Sequence, residues 1–234
     1  MLKLMKLEWK KHQLSSYFKV VAICIVAIFS VVGLMVWGSK TESDLMFNDY
    51  TGYMALTNIF IRITFMIFSA VIISRIVIDE YKNKTIQLLF TYPLQRKKLM
   101  QAKLLIVFFF SFSSIIITTV AINLLVFFLN PVLGLFEAPV SIGEMIATIP
   151  ATLINTFMIA GVGLIPLYFG MRKKSTAATM TSAIVIGFLI NSAVSNGSGQ
   201  FSLFDFIGVP IILCVLGLAI AFLSYHKVDR IDVT

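Results

Sequence analysis

Residues 79–98 read DEYKNKTIQLLFTYPLQRKK. They stand between two apolar blocks, Ala55–Ile78 and Ala102–Leu129. Each block is at least as long as the roughly 20 residues that cross the hydrocarbon core of a bilayer as a helix. Lipid solvates such blocks, and it does not solvate a segment holding two acids and five bases. The reading is therefore two membrane helices joined by a charged loop outside the membrane.

The rest of the chain follows the same plan. Of its 234 residues 59% are hydrophobic and only 13% charged, with mean hydropathy +0.95. A soluble domain of this size needs far more charge to cover its surface. Six spans are expected, at Val20–Trp37, Ala55–Ile78, Ala102–Leu129, Gly143–Phe169, Thr176–Asn191 and Phe206–Ser224. None alternates apolar and polar residues, which excludes a β-barrel. The fold class is an all-α membrane protein with one transmembrane domain, residues 20–234, behind an N-terminal segment, residues 1–19. The first block has the length of a full span and no A-x-A site after it, so it reads as a retained helix and not a signal peptide. Cys24 and Cys214 lie within apolar blocks without metal-ligand spacing and read as packing residues.

Charge sets orientation. The net charge is +8. Seventeen of the nineteen basic residues fall in the N-terminal lead, in 75–103, in 172–174 and in the tail. The opposite connections hold Lys40 against Glu42, Asp44, Asp49, Glu137, Glu144 and Asp205. This is the positive-inside pattern, with both termini and the 79–98 loop cytoplasmic, and it accounts for the charge without a nucleic-acid partner. In the lead, Leu2, Met5 and Trp9 recur at helical spacing beside Lys3, Lys6 and Lys10. That combination suits a helix lying in the interface, with Trp at headgroup depth.

Within 79–98, acids open the segment and bases close it, as the helix dipole favours. Ile86, Leu89, Phe90 and Pro93 stand at i, i+3, i+4 and i+7, one face of a helix that Pro93 closes. The residues alone leave two readings open: the face docks in a groove of another protein, or it packs on its own spans and headgroups. The run Glu80-x-x-x-Lys84-Thr85-x-x-Leu88-Leu89-x-x-x-Pro93-x-x-Arg96, followed by Lys103 at the head of an apolar span, resembles the permease subunits of ABC-2 type transporters. Lys84 and Gln95 stand where that family has small residues. Six spans, the basic lead and the chain length match as well. The resemblance implies that 79–98 is a coupling helix on a separate ATPase subunit, with Glu80, Thr85, Ile86, Leu89, Phe90, Pro93 and Arg96 as its coupling residues. It also implies a second permease copy or a paralogue. ATP and magnesium would sit on the ATPase, leaving this chain without cofactor, metal or catalytic residue. No Gly-Lys pair occurs, so a P-loop is excluded from these residues.

Polar groups inside the spans are the remaining candidates for a translocation path or a helix interface: Arg62, Asn123, Thr179, Ala183, Gly187 and Asn191. Arg62 reads as snorkelling outward, or pairing with Asp49 or Glu144, in preference to a substrate role. Thr179, Ala183, Gly187 and Asn191 form a stripe at i, i+4, i+8 and i+12 that lets helices approach closely, within one subunit by preference. Asn123 is the candidate for a polar contact between helices. Pro150 and Pro166 should kink span four. The connection 191–204 reads as a loose loop or a short re-entrant helical pair.

The function expected is an ATP-driven exporter permease in a bacterial plasma membrane, carrying an amphipathic or peptide-like cargo such as an antimicrobial peptide. The alternative is a secondary, ion-coupled transporter, which needs buried ionisable groups that the spans scarcely offer. An intramembrane hydrolase is rejected, because His12 and His226 lie across the membrane from Ser198 and no H-E-x-x-H occurs.

Overall fold

The computed structural model describes residues 2–41, 50–82, 96–133, 143, 148–196, 199–202 and 208–227. Helix α1 (Leu2–Lys11) passes through a 3-10 turn, Leu14–Ser16, into α2 (Tyr17–Thr41). Gln13 makes the corner in the left-handed region, φ 47 and ψ 44, which breaks the helix axis between them. Helix α3 (Tyr50–Ile73) continues through a π-helical turn, Ser74–Ile78, into one further turn, α4 (Asp79–Lys82). Then come α5 (Arg96–Leu133), α6 (Ile149–Val162), α7 (Pro166–Lys173) and α8 (Thr176–Asn191). A hairpin of β1 (Ala193–Asn196) and β2 (Gly199–Ser202) precedes α9 (Gly208–Lys227).

Four helical stretches are long and apolar enough to cross a membrane: Leu14–Ser39, Gly52–Ile78, Lys97–Asn130 and Ile149–Lys173. The fifth and sixth expected spans are apolar but shorter, Thr176–Asn191 and Gly208–Ser224. At ~1.5 Å per residue, α8 reaches only about 24 Å against a core of ~30 Å. Its limits are local. Ser175 caps the start by accepting from the amide of Ala178 at 3.5 Å. At the end Asn191 turns back and donates to the Gly187 carbonyl at 2.8 Å.

Two expectations are corrected here. Pro150 does not kink span four; it sits in the first turn of α6, where its missing amide has no helical acceptor to lose. The helix therefore starts at Ile149 and not at Gly143. Pro166 does interrupt the span, at the break between α6 and α7. The second correction concerns 191–204, which is neither a loose loop nor a helical pair. It holds an antiparallel hairpin with Val194 opposite Phe201 and Asn196 opposite Gly199. Gly197 and Ser198 are the two residues between the strands in the sequence, and a Gly-Ser pair at such a place is a hairpin signal. Among the described residues this hairpin holds the only strands.

Helix α3 is the centre of the bundle, with 72% of its span buried against 22% for the span of α2. Tyr53, Ile61, Phe65, Met66 and Ile72 on α3 and Ile106, Phe110 and Ile115 on α5 are among the largest fully buried side chains. Helix α8 packs along α3, and α9 along α6. The second seam is set by glycine, since a Cβ on Gly217 would run into the carbonyl of Gly161. Lipid offers no hydrophobic gain for such contacts, so small residues that bring backbones together carry the packing.

Candidate functional site

Helix α1 buries a mixed face. Met5 and Trp9 pack against the core, and between and beside them stand Glu8, which is buried, and His12, which is half-buried. These four lie at i, i+3, i+4 and i+7, one stripe of a helix. Leu7 points away and is 66% exposed. Trp9 sits 6.3 Å from the Phe18 ring and 5.6 Å from that of Phe110, centroid to centroid. The helix is therefore seated on α2 and α5.

Opposite this face stand Glu80 on α4 and Lys103 on α5. Lys103 is 3% exposed, and its ammonium donates to Glu80 Oε2. It also donates to the carbonyl of Ile76 at 3.1 Å. That carbonyl belongs to the π turn. Lys11 donates to Glu80 Oε1 at 2.8 Å. His12 Nε2 lies 3.4 Å from Glu8 Oε2 and 3.8 Å from Glu80 Oε1, and Lys103 Nζ lies 3.8 Å from Glu8 Oε2. Two carboxylates, two ammoniums and one imidazole thus close a network that joins α1, α4 and α5.

The protonation states follow. Burial works against a charged Glu80, but His12, Lys103 and Lys11 together outweigh it and hold the carboxyl down at about 2. Burial likewise opposes a charged Glu8, and His12, Lys103 and Lys11 still hold it below the usual carboxylate range. His12 is raised above its ordinary value by Glu8 first and Glu80 second. Lys11 loses stability through burial but is raised overall by Glu80. The donor atoms of Glu8, His12 and Glu80 lie within 4.8 Å of one another, a spacing that a metal ion would accept. Both Glu80 oxygens already accept from lysines, however, and two ammoniums repel a cation. The group fits an ion-pair network and not a metal centre.

The pH dependence has a definite sign. The acids contribute fully above the ordinary carboxylate range and lose that contribution as the pH falls through their depressed values. Charged His12 contributes fully below 6.5 and stops contributing as the pH rises through its raised value. Seating of α1 should be firmest between ordinary carboxylate titration and 6.5, then weaken on the alkaline side. Trp9 emission in a Trp37→Phe background should move to the red as the pH climbs above 6.5, and His12→Gln should abolish that step. A step that persists in His12→Gln would assign it to another group.

Of the residues singled out for coupling, Glu80 is in this network and Arg96 is the first residue of α5. Thr85, Ile86, Leu89, Phe90 and Pro93 lie outside the described residues. The other candidates sit elsewhere. Asn123 accepts from the Tyr50 hydroxyl at 2.6 Å and donates to the Thr119 carbonyl at 2.9 Å, linking α5 to α3. Thr179 and Ala183 are fully buried; Thr179 lies against Gly170, and Gly187 faces Ile63 and Met66 of α3. Arg62 does not run along a lipid-facing surface. It is 9% exposed and lines a cavity between α3, α5 and α6. Asp49 and Glu144, the acids considered as its partners, lie outside the described residues. Glu8, Lys11 and His12 were not singled out from the sequence, although Glu8 is the one acid in a lead of five lysines and shares the stripe of Met5 and Trp9.

Residues 4–191 match the ABC-2 family transporter protein domain. The chain belongs to the ABC-2 transporter family. It is also 32% identical over 230 residues to the uncharacterized protein YcbO of Bacillus subtilis (strain 168), covering 98% of this chain and 99% of that protein. No solved structure matches. The chain is thus a multi-pass membrane protein, the membrane component of an ABC-2 transporter, with a bacterial relative along its whole length. In this ABC-2 protein the Glu80 network closes around the two ends of the 83–95 segment, from α4 before it and from α5 after it.

Proposed function

We propose that this chain is the permease of an ATP-driven exporter and that residues 79–98 dock on a separate P-loop ATPase. The observation that carries the reading is the Glu80–Lys103 pair. It fastens the segment before the loop to the helix after it, and Lys11 and His12 add α1 to the same joint. A loop anchored through buried charge at both flanks transmits a push into α3 and α5, whereas a free loop would absorb it. The absence of a Gly-Lys pair supports a separate energy source. The charge bias places both termini and this loop in the cytoplasm, with the chain in a bacterial plasma membrane.

A second copy or a paralogue completes the translocation path. Fixed charges within the spans are few, which favours an amphipathic or peptide-like cargo that enters from the membrane, antimicrobial peptides among them. Removal of such a peptide would protect the cell. The test is co-purification with a P-loop ATPase, sought first in the neighbouring reading frame. Phe90→Asp and Leu89→Asp should each abolish it. Phe128→Ala, on a lipid-facing surface of α5 and 69% exposed in the parent, should leave it intact. Normal ATPase binding by both loop variants would sink the docking assignment.

A further inference from the structure

The basic end of the bundle carries two kinds of base. Lys11 and Lys103 are paired with the carboxylates of Glu80 and Glu8. Arg75, Arg172, Lys173 and Lys174 are exposed and make no ion pair among the described residues. Arg75 is the one exposed side chain of the π turn, whose Ser74, Ile76, Val77 and Ile78 are buried. Asp79 stands four positions on, where a regular helix would bring an acid beside it, yet the two do not pair. Arg172 and Lys173 end α7, and Lys174 is its left-handed cap, φ 46 and ψ 39. These bases are far apart in the chain, and the fold gathers them. Helix α7 packs on the π turn, and the approach is close: a Cβ on Gly170 would stand 2.9 Å from Ile78 Cδ1. Four positive charges thus collect around one helix junction with no acid paired to any of them.

We infer that this junction is a binding site for the headgroup of an anionic phospholipid. Depth selects the lipid. The span Gly52–Ile78 holds Arg75 three residues short of its end, about 4.5 Å of helical rise, and the span Ile149–Lys173 ends on Arg172 and Lys173. The bases therefore stand at the edge of the hydrocarbon, where lipid phosphates lie. An unpaired guanidinium facing outward from a span takes its counter-charge from the headgroups. Tyr168 and Phe169 stand four residues before Arg172 and Lys173 and are 48% and 41% exposed. The same surface of α7 thus offers rings to the upper acyl chain and bases to the phosphate, a pairing that suits the interface. Phosphate oxygens accept two N–H bonds from a guanidinium and draw each ammonium as a point charge. The lipid must be anionic, because a zwitterionic headgroup brings a cation of its own to four bases. A lipid seated here joins the end of α7 to the turn that leads into α4. The site rests on the charge bias that sets this end against an anionic leaflet, and not on the exporter reading.

The experiment uses the full chain in nanodiscs of phosphatidylglycerol and phosphatidylcholine in equal amounts with matched acyl chains. Lipid that stays with the protein on release is counted by native mass spectrometry. The parent should keep phosphatidylglycerol in preference. Arg75→Gln should lower that preference about fivefold, the share of one base at an anionic surface. Lys173→Gln combined with Lys174→Gln should lower it further. The double variant alters only exposed side chains at a helix end, and it keeps the test decisive if Arg75→Gln fails to fold. Lys6→Gln, at an exposed base on α1, should leave the preference unchanged. No preference in the parent would overturn the site. So would an equal loss in Lys6→Gln, which would make the attraction diffuse. Unchanged lipid preference in Arg75→Gln and in the double variant, with ATPase co-purification lost, would assign the patch to the ATPase and overturn the lipid site as well.

Discussion

Glu80→Ala should cost this protein a large share of its stability. The substitution leaves Lys103, 3% exposed, with the Ile76 carbonyl at 3.1 Å and Glu8 no closer than 3.8 Å. Removing one partner of a buried pair costs ~3–5 kcal/mol, because the other charge stays desolvated. Total stabilities of domains are only ~5–15 kcal/mol. At ~2–4 °C per kcal/mol for a chain of this size, melting should fall by roughly 6–20 °C. Glu80→Met combined with Lys103→Met removes both charges and should recover most of that loss, since apolar replacements of a buried pair are often neutral. The recovered protein should still seat α1 poorly, because Lys11 and His12 have lost their acceptor on α4. Thermal melting in detergent reads the first effect and Trp9 emission the second. If Glu80→Ala melts within about 2 °C of the parent, the network is not what holds this corner together.

That prediction rests on residues the sequence exposed unequally. Glu80 and Lys103 could be found by their spacing around the loop, yet nothing in a linear pattern says that they meet, being 23 positions apart. The π turn that supplies the Ile76 carbonyl has no signature in the residues Ser74–Ile78. It shifts the helical register just before Glu80, so a projection of a regular helix points Glu80 in the wrong direction. Glu8 and His12 were legible in principle. A buried acid on the apolar stripe of a basic helix is expensive without a partner, and that expense is the clue that α1 faces charges and not only lipid.

Apolar blocks fixed the helices far better than their ends. Pro166 marked a real break, whereas Pro150 marked a beginning, because proline is unfavourable inside a helix and well placed in its first turn. The stripe Thr179–Ala183–Gly187 was plain, because small residues at i, i+4 and i+8 suit close packing of α8 on its neighbours. The hairpin was obscured by its composition: Ser, Asn and Gly suggest looseness, and only the two-residue Gly197-Ser198 step points to two paired strands.

Phe110→Ala should have the second largest effect, and it tests whether α1 is held by packing as well as by charge. Phe110 is 1% exposed and touches rings from three other helices: Trp9 at 5.6 Å, Phe18 at 5.1 Å and Phe68 at 6.0 Å between centroids. In a water-solvated core this truncation costs ~3–5 kcal/mol. Lipid removes much of the transfer part, because tails solvate the loosened chain as well as protein does. The void remains, and at ~24 cal/mol per Å³ a lost phenyl ring leaves a penalty on the order of 2 kcal/mol. The protein should still fold, so the effect can be read locally. With Trp37 changed to Phe, Trp9 is the one tryptophan left of two. Its emission should shift to the red and become more accessible to quencher in Phe110→Ala. Phe128→Ala, a lipid-facing control, should leave both unchanged. Unaltered Trp9 emission in Phe110→Ala would mean that the ion pairs alone seat α1. The alkaline loosening expected from His12 would then be complete; otherwise it is only partial.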